Sequence, residues 1–76
     1  MSKFLLMDIE EQTIQEKKFL CIFLYETRTH NIFRIYKLYD SKLFDNLKNF
    51  KNFQDITERI TYVIKRDGKV SLDIKF

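Results

Sequence analysis

Alternation between apolar and polar positions is clearest in the last twenty-one residues of the chain. Even-numbered positions in 56–64 and 70–76 are mainly apolar, and their odd-numbered neighbours are mainly polar or charged. A period of two places successive side chains on opposite faces of a strand. The two runs therefore predict a β-hairpin with one apolar face and one solvated face.

The turn of this hairpin follows from the parity of its arms. A loop of three residues, 66–68, places both apolar rows on the same face, whereas a two-residue loop would point them apart. The strand pairs it predicts are Ile64 with Val70, Tyr62 with Leu72 and Ile60 with Ile74. Such loops often combine a type I turn with a left-handed residue in a G1 bulge. Gly68, the only glycine in the chain, occupies that position.

Three further strands are predicted in the first half of the chain. Residues 4–9 form a short apolar run, and 10–18 are polar apart from Ile14, which fits a loop or the extended end of a hairpin. Residues 19–25 are all apolar, so they predict a central strand covered on both faces. The polar break at 27–30 precedes a third strand over 32–39.

The period changes after Asp40. Four apolar side chains then fall on one helical face, namely Leu43, Phe44, Leu47 and Phe50. Asp40 or Ser41 can cap the first turn, because either side chain can accept a hydrogen bond from a backbone amide. The pattern predicts a short helix that ends near Phe50.

Composition limits the class of protein. The 76 residues predict one domain, 1–76, and 45% hydrophobic with 33% charged residues is typical of a globular chain. The formal net charge of +3 makes the protein mildly basic. One cysteine excludes an internal disulfide, and no stretch has the length of a membrane span. We therefore expect a cytoplasmic protein that does not contact a membrane.

Little in the sequence points to catalysis. His30 is the only histidine and lies in a predicted turn, while Cys21 lies inside an apolar run that disfavours a reactive thiolate. The acids Asp8, Glu10 and Glu11 are adjacent at one loop edge, as in a solvated turn. We expect a protein that is not an enzyme and has no cofactor and no metal site.

The predicted element order is strand, strand, strand, helix, strand, strand. This is the order of the OB-fold, a five-stranded Greek-key barrel with one short helix between strands 3 and 4. We predict that fold in a mainly β (small α+β) protein. An open antiparallel sheet with the helix on one face, or two such sheets forming a dimer, is the alternative.

The second and third strands carry the candidate binding face, because OB-folds bind oligonucleotides there. A four-residue loop at 27–30 pairs Leu24 with Phe33 and Ile22 with Ile35 on the inner side. The reverse face then holds Cys21, Phe23, Tyr25, Ile32, Arg34 and Tyr36. Exposed aromatic rings can stack on unpaired bases for about 1–3 kcal/mol per base. The predicted nucleic-acid-binding residues are Phe23, Tyr25 and Tyr36 for stacking, Arg28, Arg34 and Lys37 for phosphate or base contacts, and Arg59 with Lys65 as an extension of the basic track.

The chain resembles the small single-stranded DNA-binding proteins of phages and mobile elements. The resemblance lies in the strand order, in Lys42-Leu43-Phe44-Asp45-Asn46-Leu47 as the connecting helix, and in the terminal hairpin around Arg66-Asp67-Gly68-Lys69. It implies non-sequence-specific binding of single-stranded nucleic acid during replication or recombination. The alternative is a small protein-binding module or inhibitor of the phage type, as a homodimer or docked on a host protein. Aromatic and arginine side chains are enriched at protein interfaces too.

Overall fold

Five strands and one α-helix make up most of residues 2–76, the part of the chain that the computed structural model describes. The elements are β1 (Phe4–Ile14), β2 (Lys17–Glu26), β3 (Ile32–Leu38), α1 (Ser41–Lys48), a 3₁₀ turn (Thr57–Arg59), β4 (Ile60–Ile64) and β5 (Val70–Ile74). The strands form two antiparallel sheets, β1-β2-β3 and β4-β5. The prediction of a mainly β protein is confirmed. Within residues 2–76, no helix combines the length and apolar character needed to cross a membrane.

β1 and β2 form a long two-stranded ribbon. β1 continues to Ile14, so the extended hairpin end, rather than a loop, is the correct interpretation of 10–18. Gln15 and Glu16 make the turn, with φ of 50° and 66°, as a two-residue hairpin turn of type I′ requires. The ladder shifts by one residue between Leu6 and Asp8, which leaves Met7 as a bulge.

β2 is the central strand of its sheet, as predicted, and its register with β3 confirms the predicted pairs Leu24 with Phe33 and Ile22 with Ile35. The loop at 27–30 is closed by a hydrogen bond from Glu26 N to Asn31 O of 2.9 Å. Leu20, Ile22 and Leu24 are fully buried on the inner face. They form the middle of the hydrophobic core.

The helix α1 closes one side of this core. The Asp40 carboxylate caps it by accepting a 2.8 Å hydrogen bond from Lys42 N, which confirms one of the two predicted caps. The helix ends at Lys48, two residues before the predicted end at Phe50. Leu47 is fully buried, and the other three side chains of the predicted apolar face also pack against the core: Leu43, Phe44 and Phe50.

The β4–β5 register confirms the three predicted pairs. Gly68 has φ of +81°, and its N–H donates to Lys65 O over 2.9 Å, as expected for a type I turn with a left-handed residue. The predicted start of the first arm at residue 56 was wrong. Residues 57–59 form a 3₁₀ turn instead, because the Asp55 carboxylate accepts hydrogen bonds from both the N–H and the hydroxyl of Thr57.

The segment before this turn joins the two sheets. Ile56 N donates to Phe4 O over 2.9 Å, and Leu6 N donates to Gln54 O over 3.0 Å. The beginning of β1 is therefore bonded to β2 on one side and to residues 53–56 on the other. β3 and β5 are neighbours but form no ladder within residues 2–76, so barrel closure is not seen there.

The apolar face of the hairpin is covered only at its base. Ile74 is buried, and Ile60 and Leu72 pack against the core. The outer part of the same row is exposed: Tyr62 by 65%, Ile64 by 76% and Val70 by 60%. The reason is geometric: the hairpin extends past the end of the core, where β5 has separated from β3.

Candidate nucleic-acid interface

A groove of about 790 Å³ runs between β3 and the β4–β5 hairpin. It exists because β3 and β5 share no ladder, so the two sheet edges form opposite walls. Four of the predicted binding residues line it: Arg34, Tyr36, Lys37 and Lys65. These residues come from two distant parts of the chain, and the fold brings them to a single concave surface.

The positively charged side chains of the groove differ in whether a carboxylate neutralises them. Lys37 Nζ lies 2.8 Å from Asp73 Oδ1 and also donates to Ile74 O over 3.3 Å. The hydrogen bond from Lys37 holds the pKa of the Asp73 carboxyl below its ordinary value. The ion pairs in residues 2–76 are Lys37–Asp73 and Lys18–Glu11. The positive charges of Arg34 and Lys65 are therefore not neutralised by a carboxylate in that part of the chain.

One further acid borders the groove. Glu26 lies at the end of β2 and accepts hydrogen bonds from the hydroxyls of Thr29 and Ser2. These bonds, chiefly the one from Thr29, hold the pKa of the Glu26 carboxyl below its ordinary value. The carboxylate is thus ionised at neutral pH, and its negative charge repels polyanions at that end of the groove.

Two tyrosines expose ring surface at the groove. Tyr36 on β3 is 49% exposed, and Tyr62 on β4 is 65% exposed. The Tyr62 ring contacts Phe4 edge-on, with centroids 6.5 Å apart, so one of its faces remains accessible. Sequence reasoning missed Tyr62 as a site residue, because its alternation pattern is the same as that of a core position.

The outer face of β2 and β3 contains the predicted residues. Phe23 pairs with Arg34, Cys21 with Tyr36, and Tyr25 with Ile32. The Arg34 guanidinium carbon lies 5.6 Å from the Phe23 ring centroid, so the arginine covers this ring. The Tyr25 hydroxyl is hydrogen bonded to His30 Nδ1. Phe23 and Tyr25 are only half-exposed, and of the three predicted stacking residues Tyr36 offers the most exposed ring.

The same outer face becomes acidic towards β1. Asp8 pairs with Phe23, and Glu10 pairs with Cys21, which is fully buried. A nucleic-acid strand lying across β2 would bring phosphates close to these carboxylates. Negative charge therefore lies on the β1 side of this face, and Arg34 and Lys65 lie on the side of β3 and the groove.

The remaining predicted cations lie apart from the groove lining. Arg28 is exposed in the loop between β2 and β3. The Arg59 guanidinium carbon lies 5.6 Å from the Phe76 ring centroid, and that ring stacks on Phe50 at 5.7 Å. Arg59 borders a second depression together with Lys3. Lys65 alone of the two predicted extension residues shares the groove with Arg34.

No protein-family model, curated protein or solved structure matches the chain. The resemblance to phage single-stranded DNA-binding proteins therefore stays a prediction from strand order.

Proposed function

We propose that the protein binds single-stranded nucleic acid, with DNA as the preferred ligand and without sequence specificity, in the groove between β3 and the β4–β5 hairpin. The observation that carries this proposal is the convergence of Arg34 and Lys65, neither of which has a carboxylate partner in residues 2–76, with two exposed tyrosines at one groove. Such a combination of positive charge and aromatic surface is what a flexible, unpaired strand recognises.

The division of roles follows from the side chains. Arg34 on one wall and Lys65 on the other bind phosphates, and the arginine can do so through two parallel N–H bonds. Tyr62 and Tyr36 offer rings on which bases stack, each worth about 1–3 kcal/mol. Lys37 is already bonded to Asp73, so it holds the groove wall in place. None of these contacts involves the edge of a base, so binding does not depend on the base sequence.

The same proposal extends to the topology, which we take to be an OB-like Greek-key barrel left open between β3 and β5. Its support is the position of β1, which is bonded to β2 and to residues 53–56, and the side-by-side placement of β3 and β5. The groove is lined by Arg34 and Tyr36 of β3 and by Lys65 at the β4–β5 turn, and OB-folds bind oligonucleotides on the face of strands 2 and 3 and with the loop between strands 4 and 5. The strand-order resemblance supports replication or recombination of a phage or mobile element, in the cytoplasm, as the setting.

Fluorescence anisotropy tests the proposal directly. The ligand is a labelled oligo-dT of about 30 nucleotides, longer than the roughly 4–16 nucleotides that one OB-fold covers. We expect saturable binding that exceeds binding to a duplex of equal length and weakens with added salt. No binding at low salt and micromolar protein would overturn the proposal.

A folded double variant then tests the site. Arg34→Ala with Tyr36→Ala removes one charge and one ring at exposed positions, so it should weaken binding without unfolding the chain. The matched control is Lys17→Ala with Ile14→Ala, at the far end of the β1–β2 ribbon and also exposed. Equal affinities of the two double variants, with circular dichroism unchanged, would exclude the groove as the site.

A protein-binding module is the second candidate, and the apolar lining of the groove favours it. Phe33, Leu72 and Val70 lie beside the charged groups, and an extended peptide could pair with the free edge of β3 or β5. The salt dependence of the binding affinity distinguishes the two candidate functions. Phosphate contacts release counterions and weaken steeply with salt, whereas an apolar interface does not.

A further inference from the structure

The groove between β3 and the β4–β5 hairpin contains a third cation, Lys37, whose charge is already balanced. Its Nζ lies 2.8 Å from Asp73 Oδ1 and donates to Ile74 O over 3.3 Å. An ammonium group has three N–H donors, so one donor of Lys37 has no acceptor among residues 2–76. Lys37 therefore keeps one N–H for a ligand, while Asp73 neutralises its charge.

The Asp73 carboxylate is held at the groove by donors from two strands. Its Oδ1 accepts a 2.8 Å hydrogen bond from Ile74 N on β5, and the same oxygen faces Lys37 on β3. Both side chains of the ion pair are about one-third exposed, so the pair borders the solvent of the groove. A phosphate that approaches Lys37 therefore meets the Asp73 carboxylate beside it, and the two negative charges repel each other.

One other lysine is close to Asp73. The hydrogen bond from Lys37 is the main cause of the lowered pKa of the Asp73 carboxyl, and the positive charge of Lys75 adds to it. Lys75 lines the neighbouring depression, which it shares with Tyr36 and Lys37, and does not line the groove. Lys37 is thus the cation that Asp73 neutralises within the groove.

The position of Lys37 suits a contact with a separate phosphate. It follows Arg34 by three residues, which is about 10 Å along a strand at about 3.3 Å per residue. Tyr36, the exposed ring of β3, lies between these two cations in the sequence. A Lys37 side chain without its carboxylate partner would extend the ligand contacts of β3 past this ring.

We propose that Asp73 limits the affinity of the groove for single-stranded nucleic acid by keeping Lys37 from binding a phosphate. This inference rests on the proposed nucleic-acid function. In the wild type the phosphate ligands are Arg34 and Lys65, and loss of the Asp73 charge makes Lys37 the third. The ion pair therefore sets the affinity below the value that the three cations of the groove could provide.

Asp73 has an advantage over a phosphate as the partner of Lys37. The carboxylate is already in place on an ordered strand, and Lys37 is also bonded to the backbone of Ile74. Transfer of Lys37 to a phosphate would leave Asp73 unpaired beside a polyanion. The wild-type arrangement avoids this repulsion between negative charges.

The salt dependence of oligo-dT binding tests the role of Asp73. Each phosphate contact contributes about 0.7 to the slope of log affinity against log salt. Asp73→Asn keeps an oxygen acceptor for Ile74 N but removes the charge, so it should raise the affinity and increase the slope by about 0.7. Lys37→Gln should leave the slope of the wild type unchanged, and should reduce the slope of Asp73→Asn by about 0.7.

Glu26→Gln is the matched control for Asp73→Asn. Glu26 also borders the groove, but it accepts hydrogen bonds from the hydroxyls of Thr29 and Ser2 and forms no ion pair within residues 2–76. Glu26→Gln removes one negative charge without releasing a lysine. Lys37→Gln should therefore leave the slope of Glu26→Gln unchanged.

Three results would overturn the inference. A reduced slope for Lys37→Gln in the wild type would mean that Lys37 binds a phosphate in spite of Asp73. An unchanged slope for Lys37→Gln in the Asp73→Asn background would mean that Lys37 does not reach a phosphate. A reduced slope for Lys75→Gln instead of Lys37→Gln in that background would assign the additional contact to Lys75.

The same titrations distinguish this inference from the proposed function. Wild-type binding to oligo-dT, combined with any of these three results, would overturn this inference alone. Absence of binding by the wild type and all variants would overturn the nucleic-acid function and this inference with it. Circular dichroism checks that each variant is folded, and Asp73→Ser provides a second neutral variant if Asp73→Asn does not remain folded.

Discussion

Nζ of Lys37 on β3 lies 2.8 Å from Oδ1 of Asp73 on β5. Within residues 2–76, this is the one ion pair that connects the two sheets. Both side chains are about one-third exposed, so solvent screens the attraction. We expect Asp73→Asn to lower the free energy of unfolding by about 0.5–1 kcal/mol at neutral pH. Urea denaturation followed by circular dichroism measures this difference.

The pH dependence of that difference has a definite sign. The folded-state pKa of Asp73 is lowered, so its contribution is present above the unfolded-state pKa of about 3.9 and is lost as the pH falls through the folded value. The stability difference between the wild type and Asp73→Asn should therefore be smaller at pH 3 than at pH 7. An equal difference at both pH values would mean that the carboxylate charge is not what stabilises this contact.

Leu47 anchors α1 in the core, where its side chain is fully buried. Leu47→Ala should lower the free energy of unfolding by about 2–5 kcal/mol, because it leaves a cavity that the core cannot fill completely. The same substitution at Leu38, which is 62% exposed, should change it by less than about 0.5 kcal/mol. Urea midpoints of the two variants make the comparison, and similar midpoints would contradict the buried position of Leu47.

Gly68 is required for its backbone conformation. A Cβ at this position would have no neighbour within 4 Å, so the effect of a substitution comes from φ of +81° alone. Gly68→Ala should lower the free energy of unfolding by about 1–2 kcal/mol. Gly68→Asn should cost less, since asparagine enters the left-handed region more readily. Thermal or urea unfolding in which both variants lose the same stability would contradict this explanation.

The salt dependence of oligo-dT binding tests which cations contact phosphates. Each phosphate contact contributes about 0.7 to the slope of log affinity against log salt for a single strand. Arg34→Gln and Lys65→Gln should each reduce the slope by about that amount. Lys17→Gln at the far end of the β1–β2 ribbon should leave it unchanged. A reduction of equal size in all three variants would indicate a diffuse field rather than a groove.

Local rules were sufficient to predict two of the three strand registers seen in residues 2–76. The parity of the apolar rows fixed the pairing of β4 with β5, and Gly68 fixed the turn type. The same reasoning paired β2 with β3 across 27–30. In each case a short loop limits the alternatives to one or two, and a slip by one residue would turn every apolar side chain outwards.

The sequence could not predict where the core ends. Ile60 and Ile64 occupy equivalent positions in the alternation, yet one packs against the core and the other is 76% exposed. Alternation assigns a side chain to a face, but what lies opposite that face depends on the separation of β3 from β5. The groove and the position of the exposed Tyr62 ring in its lining therefore became visible only in three dimensions.

The candidate site was predicted in part. Arg34, Tyr36, Lys37 and Lys65 meet at the groove, while Phe23 and Tyr25 are partly covered and Arg59 lies beside Phe76. The contact of Lys37 with Asp73 could not be predicted, because no short-range rule relates residues on strands that do not pair.

Met7 shows how one extra residue shapes a strand. The side chains that point to the core are apolar on both sides of Met7. They are Phe4 and Leu6 before the bulge and Ile9 after it. Without Met7 the chain would alternate without interruption, and the same side chains would still point inwards. Met7 therefore does not change which side chains point inwards. As a bulge residue it bends β1 at the point where the strand leaves residues 53–56 and continues as a ribbon paired only with β2.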